Sequence, residues 1–85
     1  MNLKEFEEHL RQSGDFSDHE IRELLSRASW VETTLNISLD DLVVEEASMV
    51  AFRERLLEAI GHEEKTDDFY RALWAYYEFQ NRKKE

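Results

Sequence analysis

The chain contains no cysteine and no proline, and its only glycines are Gly14 and Gly61. Without cysteine there can be no disulfide and no thiolate metal site, a composition typical of a protein that works in the cytoplasm. Proline and glycine are also the residues that hairpins and sheets require at their turns, so their scarcity disfavours a β-rich fold. Leu, Glu, Ala and Arg favour helices, and we therefore expect an all-α protein.

Long apolar runs are absent as well. The sequence nowhere approaches the roughly 18 consecutive apolar residues of a membrane-spanning helix. Its start, MNLKEFEEHL, also lacks the apolar stretch of a secretory signal. We expect a chain that neither spans a membrane nor is secreted by that route. Its 85 residues suffice for one small domain with a single core.

Basic residues are in the minority. The chain has 20 Asp and Glu against 11 Lys and Arg, giving a formal net charge of -9. Most of the acidic excess lies in residues 15–62. The electric field of this negative charge repels phosphate groups at long range, so the sequence disfavours binding of duplex DNA.

Apolar residues recur at helical spacing along most of the sequence. This periodicity predicts four main helices, near residues 3–13, 18–35, 46–60 and 66–82, and a short turn or helix at 39–43. Gly14 and Gly61 follow the first and third main helices and suit their C-terminal ends. The pattern predicts a single compact four-helix domain over residues 1–85.

Residues that cap helices precede several of these segments. Ser17 and Glu20 form a capping box, in which each side chain accepts a hydrogen bond from the backbone of the other. Ser38 occupies a cap position before the short segment, and Thr66 is predicted to cap the last helix.

The apolar stripes of these helices supply the expected core. Its predicted members are Leu3, Phe6, Leu10, Ile21, Leu24, Leu25, Ala28, Val31, Leu35, Phe52, Leu56, Leu57, Ile60, Phe69, Leu73, Tyr76 and Phe79.

Four aromatic residues lie off or beside these stripes. Tyr70 and Tyr77 flank the apolar face of the last helix, while Trp30 and Trp74 point away from the stripes of their helices. Trp74 should keep substantial exposure unless it packs against Trp30. Large aromatics in such positions form either a satellite of the core or an anchor for a partner. We regard all four as candidate partner-binding residues.

Catalysis finds little support in the sequence. The histidines, His9, His19 and His62, lack the spacing of a metal site. The acidic residues often occur as adjacent pairs, which diverge by about 100° on a helix and cannot converge on one substrate atom. Two isolated glycines cannot form a phosphate-binding loop. We expect no enzyme activity, no cofactor, no metal and no small-molecule ligand.

Two stretches together resemble a known domain. "LKEFEEHLRQSGDFSDHEIRELLSRASWVE" and "TDDFYRALWAYYEF" are similar to the first two helices and the closing helix of the SAM-like core-binding domain of tyrosine recombinases and phage integrases. The resemblance covers most of the chain and implies an orthogonal helical bundle. In that family the domain clamps duplex DNA, and catalysis belongs to another domain.

By position, the resemblance implies a set of basic residues as candidate DNA contacts. They are Arg22, Arg27, Arg71, Arg82, Lys83 and Lys84. The second helix, however, carries more acidic than basic residues, which reduces the counterion release that drives such binding.

The favoured hypothesis is a non-catalytic binding module or accessory protein of a DNA-handling system, acting mainly through contacts with a protein partner, and a nucleic-acid-binding protein is one candidate for that partner. Two alternatives stay open at this point. One is direct binding of duplex DNA. The other is an acidic DNA mimic or inhibitor that occupies a nucleic-acid-binding protein.

Overall fold

The computed structural model describes residues 2–43 and 45–84. Within them the chain forms five helices and no strand, as expected for an all-α protein. The helices are α1 (Leu3–Ser13), α2 (Asp18–Leu35), α3 (Leu39–Leu42), α4 (Glu46–Ile60) and α5 (Glu63–Lys84). The bounds of α1, α2 and α4 coincide with the predicted ranges. Among the described residues, no helix combines the length and apolar character needed to cross a bilayer.

The helix ends follow from local chemistry. The capping box of α2 forms as predicted: Ser17 Oγ accepts from Glu20 N and Glu20 Oε1 accepts from Ser17 N, both at 3.2 Å. Gly14 and Gly61 end α1 and α4 with φ of 73° and 74°, a left-handed conformation that glycine adopts without steric cost. These residues fix where the chain turns between helices.

The last helix begins earlier than predicted. α5 starts at Glu63, and Lys65 N donates to His62 Nδ1 at 3.3 Å, so the histidine side chain serves the N-terminal turn. Thr66 is therefore not the N-cap. It is fully buried inside the helix, and its hydroxyl donates to His62 O at 2.7 Å. Histidine is an uncommon cap, and this start could not be recognised from cap preferences.

The short helix α3 also begins differently from the prediction. Ser38 precedes it but makes no side-chain cap hydrogen bond. Instead, Glu32 of α2 accepts from Leu39 N through Oε2 at 2.9 Å. The first amide of α3 is thus satisfied by a neighbouring helix, and α3 is held against the end of α2.

Helix α5 is the central element and packs against each of the other four, most extensively against α2 and α4. The buried apolar side chains form one cluster. Its members are Phe6, Leu10, Ile21, Leu24, Ala28, Val31, Leu39, Val43, Met49, Phe52, Leu56, Ala72, Leu73, Tyr76 and Phe79.

The predicted core was partly wrong at its margins. Leu3 stands at the start of α1 and is 42 % exposed. Leu25, Leu35, Ile60 and Phe69 are half-buried and pack against the cluster, and Leu57 is half-buried. Conversely, Leu39, Val43, Met49 and Thr66 are buried although they were not among the predicted core residues. Leu39 and Val43, at the two ends of α3, reach the core because α3 packs against α5.

Candidate partner-binding surface

Three aromatic residues form a continuous row on one flank of α5. Tyr70, Trp74 and Tyr77 follow one another at spacings of four and three residues and so share a face of the helix. The ring centroids of Tyr70 and Trp74 are 5.9 Å apart at 87°, and those of Trp74 and Tyr77 are 5.1 Å apart at 76°. Both are edge-to-face arrangements, which aromatic rings prefer. We call these three residues the aromatic strip.

Contacts with α4 fix one end of the aromatic strip. The Tyr70 hydroxyl donates to Met49 O at 3.0 Å, and Arg53 pairs with Asp67 at 2.6 Å. These two contacts show that α4 and α5 run antiparallel, since higher numbers on one helix meet lower numbers on the other. Extending this register by one turn brings the start of α4 level with Trp74.

Beyond Tyr70, the aromatic strip carries two further hydrogen-bond donors, the Trp74 indole N–H and the Tyr77 hydroxyl. Trp74 and Tyr77 are both half-buried. Within the part of the chain that the structure describes, neither the Trp74 indole N–H nor the Tyr77 hydroxyl makes a hydrogen bond, and neither atom is sealed from solvent. Each residue therefore presents part of a ring and one donor to the outside, as aromatic residues at protein interfaces do.

Trp74 is less exposed than the sequence predicted, and the rings that cover it do not include Trp30. Substantial exposure was expected unless Trp74 packed against Trp30. The side chain is half-buried, but its ring neighbours are Tyr70 and Tyr77 of its own helix. Helical spacing alone could have indicated these neighbours, because they lie four residues before and three after Trp74.

Trp30 lies apart from the aromatic strip. Its ring contacts Phe69 of α5, with centroids 4.8 Å apart at 53°. Phe69 and Trp74 are five residues apart, which places them about 140° apart around the helix. Trp30 is half-buried against the core from the α2 side. The four candidate anchors thus divide into a group of three and a separate residue.

The basic candidates on α2 and in the middle of α5 do not form a continuous basic face. Arg22 and Arg27 are five residues apart and diverge by the same angle of about 140°. Arg27 pairs with Glu23 at 3.4 Å. Arg27 and Arg71 both line a small groove between α2 and α5, but Glu20 and Glu23 line the same groove. The two carboxylates therefore offset the positive charge of the two arginines at this groove.

Arg82 lies near the end of α5 beside α1. It borders an open cleft of about 310 Å³ with Glu5, Glu8, His9, Gln12 and Phe79. Burial and the positive charge of Arg82 lower the pKa of His9, and the Glu78 carboxylate partly opposes this shift. Here too, a basic candidate stands among carboxylates. The side chains of Lys83 and Lys84 lie outside the part of the chain that the structure describes.

A polar cluster that the sequence did not predict joins α3 to α5. The Tyr76 hydroxyl donates to the Asp40 carboxylate, and Gln80 Nε2 donates to the same Asp40 oxygen at 2.6 Å. Burial raises the pKa of Tyr76 above its ordinary value of 10.0, and the bond to Asp40 raises it further. The contact spans 36 residues, and no local sequence pattern indicates it. We interpret the cluster as a structural contact that holds α3 against α5.

Among the described residues, no group of three or more His, Asp or Glu side chains is arranged to hold a metal ion. Comparison of the chain with protein families, with curated proteins and with solved structures finds no match.

Proposed function

We propose that this protein is a non-catalytic helical binding module that contacts a partner protein through the aromatic strip. The observation that carries the proposal is the strip itself: three rings in edge-to-face contact on the flank of α5, half-buried, with the donors of Trp74 and Tyr77 not hydrogen-bonded to any described residue. Half-buried Trp and Tyr residues of this kind are preferred anchors because they bury much area when a partner covers them.

The cellular role and the type of partner are inferred mainly from the sequence. The resemblance to core-binding domains of tyrosine recombinases supports an accessory role in a DNA-handling system and a SAM-like, orthogonal packing of the helices. The lack of cysteine fits action in the cytoplasm. The charges favour a protein partner over DNA, because the described basic candidates that come together do so beside carboxylates.

The first test is capture of partners from the source cell, with and without nuclease. Wild-type protein should retain a partner after nuclease treatment, and Trp74→Ala should lose it. Trp30→Ala is the matched control, since it removes the same side chain from outside the aromatic strip. Retention of the partner by Trp74→Ala, or its release by nuclease, would contradict the proposal.

The second test is direct titration of duplex DNA, followed by fluorescence anisotropy at low salt. We expect no saturable binding, since the net charge is -9 and the described basic candidates are dispersed. Binding that weakens steeply as salt rises, and that Arg27→Gln combined with Arg71→Gln reduces, would instead support DNA recognition.

A further inference from the structure

Three exposed carboxylates lie near the outer part of the aromatic strip. Glu45 and Glu46 stand at the start of α4, and the register set by the Tyr70–Met49 and Arg53–Asp67 contacts, extended by one turn, brings them level with Trp74. Glu78 follows Trp74 by one turn on α5 and lies on the same side of the helix. All three are exposed, and none takes part in an ion pair of the described residues, although Glu78 lies close enough to His9 of α1 to raise its pKa. Arg71, three residues before Trp74, and Arg82, one turn after Glu78, add positive charge, so three carboxylates stand against two arginines and the rim of the strip is negative overall.

From this arrangement we propose that the partner of the aromatic strip presents a basic amphipathic helix, an inference that rests on the proposed function. Its apolar face lies on the outer rings of the strip, and its Lys or Arg side chains pair with Glu45, Glu46 and Glu78. The strip covers two helical turns, about 10 Å, which matches apolar residues at positions i, i+3 or i+4 and i+7 of a second helix. Cationic side chains also interact favourably with exposed Trp and Tyr faces.

The negative charge of the rim disfavours the other molecules that could cover the aromatic strip. A second copy of this chain would bring another net charge of -9 to the same negative rim. Nucleic acid and an anionic lipid surface would be repelled in the same way. A cationic protein segment is the occupant that gains from both the rings and the carboxylates.

The probe is a synthetic peptide of about 14 residues, or four helical turns, with leucines at helical spacing and lysines elsewhere. A second peptide keeps the leucines and replaces every lysine by glutamate. Calorimetric titration into the full chain should give saturable one-to-one binding of the lysine peptide, weakened by salt, and no binding of the glutamate peptide. Absence of saturable binding by the lysine peptide overturns the proposal.

Substitution of the two tryptophans locates the peptide. Trp74→Ala should weaken binding of the lysine peptide by at least about 10-fold, as expected for an anchor at the centre of an interface. Trp30→Ala should change the affinity less than about 3-fold, because Trp30 contacts Phe69 away from the strip. Urea unfolding of both variants establishes that each is folded during the titration. Equal effects of the two substitutions overturn the proposed position.

Two triple variants with the same change in net charge separate a local effect from general attraction. The first is Glu45→Gln, Glu46→Gln and Glu78→Gln, and the control is Glu8→Gln, Asp15→Asn and Glu58→Gln, at exposed sites away from the strip. The first should weaken binding by about 10-fold or more and reduce its salt dependence, while the control should have little effect. Equal losses would mean non-specific attraction to an acidic protein and would overturn the inference.

Three results separate a failure of the basic-helix proposal from a failure of the proposed function. If Trp74→Ala abolishes capture of the cellular partner but the lysine peptide does not bind, the strip binds a partner of another chemistry. If sedimentation shows a dimer that Trp74→Ala dissociates, the occupant is a second copy and the basic helix is wrong. If capture itself is independent of Trp74, the proposed function fails, and this inference fails with it.

Discussion

At the scale of single residues, stability depends on side chains that α5 buries completely. Leu73 is 0 % exposed at the centre of the core, whereas Val50 on α4 is 59 % exposed. Leu73→Ala should lower the free energy of unfolding by about 2 to 5 kcal/mol, through lost burial and the cavity left behind. This is a large part of the stability of a small domain. Val50→Ala should change it by less than about 0.5 kcal/mol. Urea unfolding measures both, and similar midpoints for the two variants would contradict the assigned core.

The hydroxyl of Tyr76 has a measurable pH signature. Because burial and Asp40 raise the folded pKa of Tyr76 above its unfolded value, the neutral side chain stabilises the fold below about pH 10. As the pH rises further, the unfolded chain releases this proton before the folded chain does, and that stability is lost. Tyr76→Phe should cost about 1 to 2 kcal/mol at pH 8 through the lost hydrogen bond.

The measurement is urea unfolding of wild-type protein and Tyr76→Phe at about pH 8 and about pH 11. The difference in unfolding free energy should narrow at the higher pH, since the phenylalanine variant has no proton to lose at this position. A difference that stays constant would contradict the hydrogen bond to Asp40, and a difference that widens would reverse the sign of the pKa shift.

At the scale of elements, two serines in cap positions differ in what they contribute. Ser17 forms a complete capping box at the start of α2, while Ser38 makes no side-chain cap hydrogen bond at α3. Ser17→Ala should therefore cost about 1 kcal/mol, and Ser38→Ala less than about 0.5 kcal/mol. Thermal or urea unfolding distinguishes the two variants. A larger loss for Ser38→Ala would show that α3 depends on its serine rather than on Glu32.

The same elements show how much of the fold the sequence could predict. The starts and ends of α1, α2 and α4 could be found because caps and apolar periodicity are local signals. The start of α5 could not, since His62 takes the place of a common cap residue. The support of α3 by Glu32 could not be predicted either, because that bond joins two helices that only the folded chain brings together.

At the scale of the whole molecule, the candidate site was predictable only within one helix. The grouping of Tyr70, Trp74 and Tyr77 follows from their spacing on α5. The separation of Trp30 depends on which side of α5 receives α2, and helical spacing within α2 does not determine this. The surroundings of the basic candidates also depend on how α2 packs against α5. Arg27 and Arg71 belong to different helices, and only the folded chain brings them to one groove with Glu20 and Glu23.

The proposed role of the aromatic strip requires that Trp74 contribute more to binding than to folding. Its ring is half-buried, so Trp74→Ala should destabilise the chain less than Leu73→Ala, whose side chain is fully buried. The loss of an anchor from an interface should cost about 2 kcal/mol or more in binding.

The most direct measurement is calorimetric titration of the captured partner with wild-type protein and with folded Trp74→Ala, alongside Trp30→Ala. We expect Trp74→Ala to weaken the affinity by about 30-fold or more and Trp30→Ala to leave it nearly unchanged. Unchanged affinity of Trp74→Ala, together with a loss of several kcal/mol in its unfolding free energy, would contradict the binding role of Trp74 and make it a core residue.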